Sequence, residues 1–307
     1  MADSQIPEDY DALDQKMENN NRRYGEIEEV IDDVERAFEK FQNFEILNSA
    51  PYDHCFLSKR TMNCRRSNLT EQMKQEWKVL KFSLAKSSIY VRAYEERPDL
   101  MRAIIVGPEG TPYHHALFCF DFRFPSNYPN QTPDLFYRCY YAPSSIPNGK
   151  LKGFLNLKMK SHSAPMTILR LLTLIQNSFL INKHDEAPRV PSAAEEPNMR
   201  VMKQTWEAML CMLKSPPQNF EVFVQGYFRT RSHQILMNFK FRIGLDETTI
   251  GLFFRLIKAF EANGAYCQHH YNKDNVDQLL LKAMLPRQKS NSGIVKKIST
   301  MFQGTFL

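Results

Sequence analysis

Apolar residues recur at steps of three and four from Tyr24 to Leu47 (Ile27, Val30, Ile31, Val34, Phe38, Phe41), which predicts an amphipathic helix. Residues 48–67 break the pattern with Pro51 and a basic patch (Lys59, Arg60, Arg65, Arg66) and read as a linker. Thr70 then offers a helix cap, with Glu71 in the first turn and Met73, Trp77, Leu80 and Leu84 on one face. The period changes to two in Ile89–Tyr94, Met101–Val106 and Ala116–Phe124. In the third run Phe118, Phe120, Phe122 and Phe124 alternate with Leu117, Cys119, Asp121 and Arg123. The short connections, Glu95–Asp99 and Gly107–His115, predict antiparallel neighbours, and Asp134–Tyr141 is read as a fourth strand of the same meander. Helical spacing returns in Met166–Leu180, Met199–Leu213 and Phe220–Phe239, then in 247–265 and 272–285. A helix, a run of strands and then helices make an α+β domain. No internal repeat accompanies the pattern.

Composition narrows this reading. Of 307 residues, 43% are hydrophobic and 24% charged, which suits one large packed domain with extensions. The predicted organisation is an acidic, partly disordered extension with one helix (1–67), a core domain (68–240), and a helical extension with a basic mobile tail (241–307). No apolar run reaches the ~20 residues that span a bilayer, and the first thirty residues are acidic without a leader-like apolar stretch. The six cysteines form no C-x-x-C pair, so reduced thiols and a soluble cytoplasmic or nuclear protein are expected. The net charge of +6 hides a polarity, with 14 Asp/Glu against 5 Lys/Arg in residues 1–45 and no acid after Asp277. Solvated tails are the simpler account of that asymmetry. A dense basic patch interleaved with aromatics is missing, so neither nucleic acid nor membrane is expected as a partner.

Two turns carry the most specific signal. Gly107-Pro108-Glu109-Gly110-Thr111-Pro112-Tyr113 joins the second and third strands, and Phe124-Pro125-Ser126-Asn127-Tyr128-Pro129 leaves the third, with Pro133 beyond. With Glu76-Trp77 in the preceding helix and Arg102–Val106 running into the first turn, residues 69–141 resemble the core of the ubiquitin-conjugating enzymes, the E2 family. Ala164–Leu169 with Leu174-Ile175-Gln176, and Pro216-Pro217 through Phe228-Arg229, resemble later parts of the large, extended members of that family. The resemblance implies the UBC-like α+β fold and thioester transfer of ubiquitin through a cysteine, whose anion is nucleophilic near neutral pH. It implies ubiquitin, an E1 activating enzyme, an E3 ligase and an active E2 as partners, and no cofactor. It also implies a partner-facing surface on the first core helix and the two turns, at Pro108, Gly110, Pro112, Pro125, Tyr128 and Pro129.

The expected nucleophile does not follow. After Tyr141 the chain reads through Ile146-Pro147-Asn148-Gly149-Lys150-Leu151-Lys152. Asn148 occupies the place of the family's asparagine, Lys152 stands where the cysteine belongs, and the loop between them is shortened. Cys139 is the nearest thiol and reads as a strand residue; Cys119 and Cys211 read as structural. His114-His115 read as exposed loop. His269-His270 near Cys267, and His54-Cys55 with Cys64, lack zinc-finger spacing, so no metal site is expected. Phosphate-binding and serine-hydrolase motifs are absent. Three functions follow: a catalytically impaired binding or regulatory module, an active transferase with a displaced cysteine such as Cys139, or a product of a mis-joined gene. At Lys152 an amine would hold ubiquitin as a stable isopeptide, whereas a solvated lysine is the simpler reading.

Overall fold

The computed structural model describes residues 32–59, 68–138, 166–180, 197–242 and 247–271. Its centre is a five-stranded sheet in the order of the chain: β1 (Phe44–Leu47), β2 (Ile89–Tyr94), β3 (Leu100–Val106), β4 (Leu117–Arg123) and β5 (Asp134–Arg138). β2 to β5 form the antiparallel meander that the short connections predict, in a register that sets Arg102 opposite Asp121. β1 adds to the edge in parallel, with Phe44 opposite Val91.

β1 corrects the expectation of a helix to Leu47. The helix here, α1 (Asp33–Glu39), starts at the Asp32 cap and stops at Lys40. The Asn43 amide then donates to the carbonyls of Ser87 and Ile89, each at 2.9 Å, and delivers Phe44 to the open edge of β2. A free sheet edge outweighs local helical spacing here, because pairing satisfies a row of backbone groups at once. Residues 48–59 are likewise packed rather than a free linker: Pro51, His54 and Phe56 are buried.

Both faces of the sheet are covered, so even Asp121 of β4 is interior. On one side lies α2 (Asn68–Ser83), with Met73, Trp77, Leu80 and Leu84 buried as their spacing predicts, together with α3 (Ile168–Leu180). On the other lie residues 50–57 and the start of α5 (Glu221–Arg242): Phe56 packs with Tyr94 and Leu100, and Phe223 stands 4.1 Å from the Tyr90 ring. α4 (Pro197–Lys214) and α6 (Glu247–Ala262) extend this layer through Trp206 on Phe239 and Phe228 on Phe260. No helix among the described residues is long and apolar enough to cross a membrane.

Candidate functional site

The loop that carries Asn148 and Lys152, and Cys139 before it, lie outside the described residues, as do Cys64 and residues 272–285. The chemistry legible in the structure therefore comes from the loop's entrance, the described thiols and the two turns.

β5 leads into that loop at Arg138, and Arg138 is held from below. Asp53 accepts from Arg138 at 3.3 Å and from Arg102 Nη1 at 2.7 Å. Arg102 also makes a two-pronged contact with Asp121, Nε to Oδ1 at 2.6 Å and Nη2 to Oδ2 at 3.0 Å, and both side chains are fully buried. The Cys55 N–H donates to Asp121 Oδ2 at 2.9 Å, and Arg102 Nη1 donates to the Gln218 carbonyl at 3.2 Å. Burial alone would raise the Asp121 carboxyl, but the Arg102 hydrogen bonds and charge hold it below its ordinary value. The network ties residues 53–55, β3, β4, the end of β5 and the Gln218 turn together. Sequence reasoning missed this network. Its trace is a charge in the middle of each of two apolar strands, Arg102 and Asp121, which demands an opposite partner inside.

The described thiols are unsuited to nucleophilic work. Cys119 is fully enclosed in β4, and burial pushes its thiol up to about 12. Burial, then the Asp121 charge, pushes Cys55 to about 11. Burial, then Glu261, pushes Cys267 to about 12. Cys211 is only half-buried rather than a core residue, and burial and Glu207 raise it too. An attacking thiol needs the opposite shift.

The two turns lie at opposite ends of β4, roughly 20 Å apart for a seven-residue strand, so they do not form one continuous surface. In the first, Gly107 is required by close approach: a Cβ there would sit 1.9 Å from the Tyr113 carbonyl oxygen. Gly110 has φ +78° and is exposed at the tip. The Thr111 hydroxyl donates to the Pro108 carbonyl at 2.7 Å and closes the turn; Pro108 and Pro112 are half-buried. His114 and His115 are packed rather than the exposed loop expected. Their rings stack at 3.8 Å, and His115, with φ +64°, is buried beside the Tyr227 hydroxyl. Burial, with His114 and Arg231 adding, lowers His115 to about 4. A groove of about 910 Å³ opens beside this turn, between Ser88, Glu109, His114, Gln176 and Arg231.

In the second turn Pro125 and Pro129 are half-exposed and the Tyr128–Pro129 bond is cis. Tyr128 points inward instead of toward a partner: its hydroxyl is 3.1 Å from Glu76 Oε1 and 2.8 Å from the Met166 carbonyl. Glu76 Oε2 in turn accepts from the Ile168 N–H at 3.1 Å. Tyr128 and Glu76 thus clamp α2 and the start of α3 to the turn. Arg138 and Met166-Ile168, the described residues that flank 139–165, are thus each held by the contacts above.

The family model for ubiquitin-conjugating enzymes matches residues 69–211. An Arabidopsis thaliana protein carrying the name ubiquitin-conjugating enzyme E2 38 is 31% identical over 238 residues, which cover 68% of this chain and 69% of that protein. A second, named ubiquitin-conjugating enzyme E2 23 from the same plant, is 32% identical over 215 residues, 64% of this chain and only 19% of its own length. A crystal structure of a ubiquitin-conjugating enzyme E2 from Plasmodium falciparum is 16% identical, with 43% of this chain and 95% of that one covered and a TM-score of 0.31.

Proposed function

The chain belongs to the ubiquitin-conjugating enzyme family, and from that premise we propose that it works in the ubiquitin pathway as a cysteine-less binding or regulatory module rather than as a transferase. The observation that carries this reading is Lys152 in the run Gly149-Lys150-Leu151-Lys152, where the family resemblance calls for the nucleophilic cysteine. The four described thiols support it, since all four are raised away from the thiolate form. Ubiquitin, an activating enzyme, a ligase or an active conjugating enzyme are the partners, met in the cytoplasm or nucleus. The half-exposed prolines of the two turns, Pro108, Pro112, Pro125 and Pro129, offer two separate contact areas.

A charging assay tests the reading: full chain, activating enzyme, ubiquitin and ATP, resolved with and without reductant. The expected outcome is no covalent adduct, together with saturable binding of ubiquitin or a conjugating enzyme. A reductant-sensitive adduct that disappears in Cys139→Ser would establish a displaced nucleophile and overturn the proposal. A reductant-resistant adduct lost in Lys152→Arg would replace it with a ubiquitin trap, because an amine forms an amide that does not turn over.

A further inference from the structure

Between α5 and the turn that follows α6, three imidazoles converge. His233 projects from α5, and His269 and His270 lie on the 3-10 turn Gln268–His270 that follows α6. His233 Nδ1 is 2.8 Å from His269 Nε2 and 3.1 Å from His270 Nε2, and all three nitrogens lie within 4.8 Å of one another. His233 and His269 are exposed, and His270 is buried with its Nδ1 unpaired.

We propose that His233, His269 and His270 bind one divalent transition-metal ion of the zinc class. A neutral imidazole carries a single N–H and a single lone pair on its two ring nitrogens. One proton at His233 Nδ1 cannot serve two acceptors well, and a proton on either Nε2 leaves the other facing a lone pair. A dication at the centre converts all three lone pairs into bonds at once. Geometry agrees. Zn–N bonds of ~2.0–2.1 Å in a tetrahedron set neighbouring nitrogens ~3.4 Å apart, so the two contacts of His233 need open by a few tenths of an ångström, while the His269–His270 pair, within 4.8 Å, adjusts by turning the exposed His269 ring. Imidazole nitrogens favour zinc, nickel and copper over magnesium and calcium, which take oxygen ligands. Three protein ligands leave a fourth position for water, on the side where His233 and His269 meet solvent. Lys240 is the nearby opposing charge: it helps lower all three rings and weakens the site for any cation. The ion would join α5 to the turn at 268–270, a connection made otherwise by side-chain contacts alone. The pattern escapes sequence reading because His233 stands 36 residues from His269.

The test titrates full-length, chelator-stripped protein with Zn²⁺, Co²⁺ and Mg²⁺ at pH 7.5. Expected are one saturable zinc per chain, no magnesium binding, visible cobalt bands of tetrahedral nitrogen–oxygen ligation without thiolate charge transfer, and a thermal midpoint that rises with zinc. Removal of one ligand should weaken zinc by at least ~100-fold, beyond the 10–100-fold that outer partners are worth. His233→Ala and the milder His269→Gln test this, with circular dichroism verifying the fold and His114→Ala as a control that retains binding. Zinc affinity unchanged in both ligand variants, thiolate bands with cobalt, or no saturable binding by the unaltered chain would each overturn the proposal.

Discussion

Asp121 is the acceptor at the centre of the buried polar network. It sits in the middle of Leu117–Arg123, fully buried, with Arg102, Cys55 and His54 turned toward it. A buried pair contributes little over an apolar replacement, yet removal of one member leaves the other charged and unpaired. Asp121→Ala is expected to lower unfolding stability by about 3–5 kcal/mol, measured by urea denaturation at neutral pH. A loss below ~1 kcal/mol, the range of an exposed pair, would mean that Arg102 is not committed to Asp121. At this scale the sequence was legible where a residue's role is local. Gly107, Gly110 and the prolines announce a turn by their own backbone preferences. It was illegible where the role depends on a distant partner: Tyr128 reads as part of a contact loop until Glu76 and the Met166 carbonyl are found around its hydroxyl.

Among elements, α1 shows how a close approach decides an attachment. It crosses α5 at Gly226, where a Cβ would fall 2.3 Å from Phe38 Cβ. Phe38 continues onto Phe223 and Tyr227, and Arg229 of α5 pairs with the Asp32 cap of α1 while donating to the Asn263 carbonyl at 2.8 Å. Gly226→Ala gains up to ~1 kcal/mol of helix propensity but overpacks the crossing at a cost of about 1–3 kcal/mol. The expected result is a net loss of stability, with faster amide exchange confined to Asp33–Glu39. Gly251→Ala in α6 is the matched comparison. Open space surrounds that position, so the same change should stabilise by about 0.5–1 kcal/mol. If both variants gain, the crossing is looser than described. The period-two strands and the α2 stripe were legible because their pattern and their packing ask for the same thing. The helix extending to Leu47 was misread because the edge of β2, unseen in the local pattern, captured Phe44–Leu47.

For the whole molecule, three histidines carry a pH dependence. His54, His115 and His270 are buried, and burial holds them below their ordinary value of 6.5, His115 at about 4 and His270 at about 3. Asp53 and Asp121 oppose the shift at His54 without reversing it. The unfolded chain takes up protons near pH 6.5 that the folded chain refuses until far lower, so stability is complete above about pH 7 and falls as pH drops. The window runs from 6.5 to about 4 for His115 and to about 3 for His270. Asp121 acts in the same direction at lower pH, since a depressed carboxyl loses its contribution as pH falls through its folded value. Urea midpoints measured from pH 8 to pH 4 with a chelator present should decline steadily below 6.5. His115→Asn tolerates the positive φ and should flatten part of that decline. A profile level from pH 8 to pH 5 would rule out these buried neutral rings.

The sequence by itself determined the family, the meander and its flanking helices, and the presence of lysine at position 152. Each of these is written in neighbouring residues: in periodicity, in turn chemistry, or in a motif read along the chain. Only the tertiary structure decided that β1 joins the sheet, that His115 and Tyr128 face inward, and that Arg102, Asp121 and Asp53 brace the end of β5. It alone brought His233 to His269 and His270. The physical reason is common to all of these. Burial and pairing between residues tens of positions apart depend on which faces meet, and that choice is made by the packing of the whole chain rather than by any local stretch of it.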